Sequence, residues 1–228
     1  AAYEMQLVGP LFTFSIRKVG SNNGLLGQHA GTFANGAVFW MGKTGGFYVY
    51  DGTVKSLPCL VEDFVFTTDG NNPGLNYNSG QLVFAGINEL YSEINWFYPT
   101  SGSDVVNRVV TYNFDEAVWT TGTLDRSTWV GSTVYEKPYA TDYNASDTPT
   151  FPVINGVENG ASIYYAHEVG VNQANGDGTE AAITSFIKSG EFDLNGNQGV
   201  PGDGEFILSM SRFLPDFKRI SGNAKVTI

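Results

Sequence analysis

A chain of 228 residues with 42% hydrophobic, 14% aromatic and 15% charged side chains can bury a sizeable core, and its 28 glycines and nine prolines mark it as rich in turns. Twelve Lys and Arg against 23 Asp and Glu give a net charge of −11, which repels a phosphate backbone at long range and excludes a dedicated DNA-coating protein. Apolar runs such as Ala37 to Met41 are far shorter than the roughly 20 residues a bilayer needs, and a single cysteine, Cys59, excludes an internal disulfide.

The sequence opens Ala1-Ala2-Tyr3 and closes on a strand-like Ala224-Lys225-Val226-Thr227-Ile228, as expected of a piece of a longer protein. Phe12, Phe14 and Ile16 alternate with Thr13, Ser15 and Arg17, which predicts a strand. Four short strands follow at 29–34, 37–42, 46–51 and 53–58, parted by Asn35-Gly36, Thr44-Gly45 and Asp51-Gly52. Asn-Gly and Asp-Gly supply the positive φ of tight hairpin turns, so this stretch reads as an up-and-down meander. The spacing of Val61, Phe64 and Val65 predicts one or two helical turns before a Gly/Asn/Pro-rich loop at 69–80.

A second meander is predicted at 81–86, 93–98, 107–114 and 117–124, and its outer hairpin Phe114-Asp115-Glu116-Ala117-Val118 aligns with Tyr50-Asp51-Gly52-Thr53-Val54 of the first. A third, looser unit takes 129–135, 138–143, 161–168 and 182–189, interrupted by a loop from Asn144 to Glu158. Beyond it lie a Gly/Asn/Asp loop and further strands at Phe206 to Phe213 and Asn223 to Ile228.

Repeats of about fifty to sixty residues, each of four antiparallel strands, are the pattern of β-propeller blades. The expected fold is therefore all-β and propeller-like, with about three four-stranded blades in residues 1–189 and a C-terminal β segment, 190–228, that continues the propeller or leads to a following domain. Blades bury both faces, which explains why inward and outward positions alike are aromatic in Phe39-Trp40, Phe47-Tyr48 and Trp96-Phe97-Tyr98. Trp40, Phe47, Trp96, Tyr112, Phe114 and Trp119 are expected between blades. Three blades fall short of the four to eight that close a ring, so missing sequence or another chain is expected to complete it.

Residues that carry chemistry are sparse. His29 and His167 have no second ligand nearby in sequence and no Gly-x-Ser-x-Gly elbow to serve, and each reads as a hydrogen-bonded strand or turn histidine. Cys59, with no CxxC or Cys/His spacing, reads as a small buried hydrophobe. Glu62, Asp63, Glu89, Glu93, Asp115, Glu116, Glu191 and Asp193 supply enough carboxylates for a glycosidase pair, but such a pair is defined by spacing in three dimensions.

Asp193, Asn195 and Asn197 place oxygens at alternate positions as calcium loops do, and Asn175-Gly176-Asp177-Gly178 has the same flavour. Gln198 stands where the turn glycine belongs and Gly204 where the bidentate Glu should be, so a solvated loop is the simpler reading and no cofactor is expected. Gly42-Lys43-Thr44-Gly45-Gly46 lacks the upstream glycine and following helix of a phosphate loop, and Asn144-Ala145-Ser146 fits a glycosylation sequon.

The ordered run Phe39-Trp40-Met41-Gly42, Gly46 to Gly52, Val61 to Phe66, Asn95 to Pro99, Val109 to Asn113 and Trp119 resembles propeller-type tail proteins of short-tailed bacteriophages. His167-Glu168-Val169-Gly170, Phe186 to Asp193 and Phe213 to Phe217 continue the resemblance, which covers about residues 11 to 220. It implies a non-enzymatic tail hub or nozzle protein of the virion, made in the host bacterial cytoplasm. Its partners would be a portal or adaptor and tail fibres, with DNA only passing through the lumen of a ring of six copies. Such a ring extends the tail tube and retains the packaged genome until ejection, and like charge along its wall would keep a duplex from sticking.

Two other classes stand beside this one. A glycan- or receptor-binding propeller would expose Tyr77, Trp129, Tyr143 and Asn144 on its loops, and a propeller-fold glycosidase would need a central pocket lined by carboxylates.

Overall fold

The structure, a computed structural model, describes residues 1–10, 12–131, 134–143, 162–174 and 180–186. The chain divides into two units, Ala1–Ile183 and Thr184–Ile228, and nearly all described residues lie in the first. That unit is predominantly β, and every strand pairing within its sheets is antiparallel.

The chain begins with a two-stranded hairpin, β1 (Ala2–Leu7) and β2 (Phe14–Gly20), in which Met5 faces Ile16 and Leu7 faces Phe14. Next comes a four-stranded meander, β3 (Gly31–Ala34), β4 (Ala37–Met41), β5 (Phe47–Tyr50) and β6 (Val54–Leu57), laid out in sequence order. Asn35 at φ 46° and Gly36 at φ 76° close its first turn between Ala34 and Ala37, the two left-handed residues that a type I′ hairpin requires. A short helix α1 (Glu62–Phe66) follows and plugs fully buried Val65 into the core, with Leu75 N–H donating to the Val65 carbonyl at 2.7 Å.

The second meander runs β7 (Phe84–Asn88), β8 (Glu93–Tyr98), β9 (Arg108–Asn113) and β10 (Val118–Thr123), again in sequence order. Its first strand starts later than the expected 81–86, because Asn76 accepts from Asn78 N–H and starts a 3-10 turn over Tyr77–Leu82. The outer hairpins also differ from the aromatic-Asp-x-x-Val alignment. Tyr50 pairs with Val54 around three residues, but Asn113 pairs with Val118 around four, because the Asn113 side chain accepts from Asp115 and Glu116 N–H and draws the turn out.

The third sheet holds β11 (Thr128–Val130), β12 (Tyr139–Tyr143) and β13 (Ser162–Ala166). The expected fourth strand at 182–189 does not join it among the described residues. Instead β15 (Glu180–Ala182) pairs with β14 (Asn172–Ala174) in a separate ribbon, residues 183–186 carry no strand, and 187–189 lie outside the described residues. Local turn closure between nearby segments wins here over the longer return to β13.

The core forms where one face of the first meander meets one face of the second. Phe39, Met41, Phe47 and Leu57 pack against Ile94, Trp96, Val110, Tyr112 and Trp119. Phe47 is central and fully buried, with ring centroids 4.8 Å from Trp96 and 4.6 Å from Trp119. Strand β8 is buried on both faces, since Ile94, Trp96 and Tyr98 join this core and Phe97 lies 5.3 Å from Trp129 of the third sheet. Period-two alternation with both sets apolar marks a strand sandwiched between neighbours.

Candidate functional site

The first strands of the two meanders and of the third sheet, β3, β7 and β11, come together, with β7 in contact with both β3 and β11. His29, just before β3, forms a parallel bridge with Phe84 of β7, and Ala85 N–H donates to the His29 carbonyl at 2.8 Å. Between them runs an open groove of about 470 Å³, lined by Gln28, His29 and Gly31, by Gln81 to Ala85, and by Ser127 and Thr128. Gln28 Nε2 and His29 Nε2 lie 2.8 Å apart at its rim. The lining contains no Asp, Glu, Lys, Arg or Cys.

Tryptophans lock each sheet to the one before it. Trp96 of β8 donates its indole N–H to the Ala30 carbonyl at 3.1 Å, and Trp119 of β10 donates to the Pro58 carbonyl at 2.8 Å, so the first two sheets are pinned at both lateral edges. Trp129 of β11 donates to the Ile87 carbonyl of β7 at 2.8 Å, and its ring lies on Gly86, where an added Cβ would stand 2.3 Å from Cδ1. The glycine is there because the ring needs its space.

Of the six aromatics singled out in the sequence, Phe47, Trp96, Tyr112 and Trp119 meet in this core, and Phe114 packs half-buried at its margin. Trp40 is buried elsewhere. It points to the opposite face of β4 from Phe39 and Met41, stacks on Tyr48 at 5.6 Å, and donates to the Asn23 carbonyl at 2.8 Å. The loop before β3 covers it, so it does not lie between the two meanders.

The second and third sheets bring together a cluster of ionisable groups whose protonation folding alters. Arg126 Nε donates to His167 Nε2 at 3.1 Å, its guanidinium lies 3.8 Å above the Tyr165 ring, and His167 packs 4.6 Å from Trp129. Burial and the neighbouring Arg126 bring the His167 pKa down to about 4, so the ring is neutral with its proton on Nδ1. Beside it, Asn88 Nδ2 donates to Glu93 at 3.2 Å and to Glu168 at 3.3 Å. Burial, then the Glu168 charge, holds the Glu93 carboxyl above its ordinary value. Glu93 is among the carboxylate candidates of the sequence, whereas its partner Glu168 lies 75 positions away and carries no signal there beyond the His-Glu dipeptide.

This acid pair does not line the groove between β3, β7 and β11. Cys59 is half-buried against the core, and burial pushes its thiol up to about 12, which leaves it protonated and a poor nucleophile. Among the described residues no group of three or more His, Cys, Asp or Glu is placed to hold a metal, and no helix is long and apolar enough to cross a membrane.

The calcium candidates Asp193, Asn195 and Asn197 lie outside the described residues, as do 175–178 and Asn144. Among the glycan-platform candidates Tyr77 is half-exposed, Trp129 is committed to the contact with β7, and the side chain of Tyr143 lies outside the described residues. No protein-family model matches the sequence, and no curated protein matches it.

Proposed function

We propose that the chain is a structural component of a bacteriophage tail, a hub or nozzle protein whose sheets are successive blades of a β-propeller and whose copies form a ring below the portal. The observation that carries the blade reading is the junction of β3, β7 and β11. In a propeller the innermost strand of each blade lies next to the innermost strand of the following one, and the remaining strands lead outward. The parallel His29–Phe84 bridge and the Trp129–Ile87 hydrogen bond have that arrangement, and both meanders run in sequence order away from it.

The ordered sequence resemblance to phage tail proteins carries the biological setting. The chain works by position, with no chemical step assigned to it, and it meets DNA only as a duplex passing between copies. Residues 28–34, 81–88 and 127–130, which include the inner strands, contain no Asp, Glu, Lys or Arg, so the charge of −11 belongs to other parts of the chain. Deleting its gene from the phage that carries it should give capsids that package DNA but leak it and lack a complete tail, with rescue by the gene in trans. Normal infectious particles from the deletion would overturn this reading.

A further inference from the structure

The N-terminal hairpin is amphipathic, with its apolar side turned away from the other described residues. Tyr3, Met5 and Leu7 of β1 share one face with Phe14 and Ile16 of β2; with Phe12, just before β2, all six are 54–76% exposed. The opposite face carries the Glu4–Arg17 ion pair, Nε to Oε2 3.1 Å, which lies beside the Tyr50 hydroxyl of the first meander. Six such side chains expose roughly 800 Å², more than the largest apolar patch of a typical monomer and about what each partner contributes to a stable complex. A two-stranded hairpin is also marginal without a further layer.

Among the described residues the third sheet also has an exposed apolar face. Trp129, Ala140 and Tyr165 occupy one face of the third sheet, while Val130, Tyr139 and Tyr164 on the other are 44–79% exposed. Charge favours bringing these two faces together. Arg17 and Lys18 against Glu4 give residues 1–20 a net charge of +1, so the remaining 208 residues carry −12. A positive apolar arm meets an acidic body more favourably than it meets a second arm.

We infer that the β1–β2 hairpin is an assembly arm that docks its apolar face on the outer face of the β11–β12–β13 sheet of a second copy of this chain. The contact is head-to-tail, the kind that builds rings or filaments rather than closed pairs. It names a surface for the ring proposed above but is tested on the purified chain alone, so its failure and the failure of the tail reading are separate events.

The experiment is sedimentation velocity of the full chain from about 1 to 100 µM. Wild type should associate with concentration. Met5→Lys/Ile16→Lys on the arm and Tyr139→Lys/Tyr164→Lys on the receiving face should each weaken association at least about tenfold. Mixed in equal amounts, the two variants should form a one-to-one complex that grows no further, because each keeps the half the other lost. Gln6→Lys on the polar back of the arm should associate as wild type does. Should either lysine pair disturb the near-ultraviolet circular dichroism, threonine replaces lysine at the same positions. A wild type that stays monomeric, an arm variant that assembles normally, a mixture that stays monomeric, or a monomer that sediments with lipid vesicles through its arm would overturn the inference.

Discussion

At Gly86 the absence of a side chain is what lets Trp129 reach the Ile87 carbonyl. Gly86→Val forces the indole off its seat, and overpacking of this kind costs about 1–3 kcal/mol. Chemical denaturation should show the loss, and Trp129 fluorescence should shift with it in the folded state. Trp96 separates two contributions. Trp96→Ala should cost about 3–5 kcal/mol, whereas Trp96→Phe keeps most of the ring contact with Phe47, loses the hydrogen bond to Ala30, and should cost distinctly less.

His167 gives a stability that depends on pH. In the unfolded chain it takes a proton near 6.5, while in the folded chain it stays neutral down to about 4. Folding stability from this group is therefore complete above pH 6.5 and falls as the pH drops toward 4, by about 1–2 kcal/mol once partial solvent access is allowed for. Glu93, with its carboxyl raised, gains stability as the pH falls through the carboxylate range. The difference between wild type and His167→Gln isolates the histidine: wild type should lose stability relative to the variant between pH 6.5 and 4, and an unchanged difference would remove His167 from the account.

At the scale of elements, the tight turns set register and the tryptophans set docking. Asn35 and Gly36 both sit in left-handed conformations that fix Ala34 opposite Ala37 and thereby place Phe39 and Met41 on the core face. Gly36→Val puts a β-branched residue where a left-handed backbone costs about 1–2 kcal/mol. The melting temperature should fall accordingly, while a glycine at position 35 should change little. The short helix α1 works by the same economy: five residues are too few to stand alone, and buried Val65 holds them to the sheets.

For the whole molecule, charge decides what the chain leaves alone. A net charge of −11, with residues 28–34, 81–88 and 127–130 free of charged side chains, offers no phosphate-gripping stripe in those segments. Fluorescence anisotropy with a duplex at about 50 mM salt should show no binding tighter than about 10 µM. Tighter, salt-sensitive binding would turn the reading from a passive conduit to a DNA clamp.

The two meanders, the helix at 62–66 and the Asn35-Gly36 turn were legible in the sequence, because turn chemistry and period-two alternation act over a few neighbouring residues. Tertiary structure alone decided which face of each strand found which neighbour. Phe39, Trp40 and Met41 are all apolar, so alternation could not tell that Trp40 would turn away from Phe47 and settle under the Asn23 loop. Nor could it join Arg126 to His167 or Glu93 to Glu168, pairs separated by 41 and 75 positions. At Phe12, Phe14 and Ile16 the same pattern that elsewhere means burial leads to an exposed face, because alternation records that a strand has an apolar side and carries no information about what lies against it.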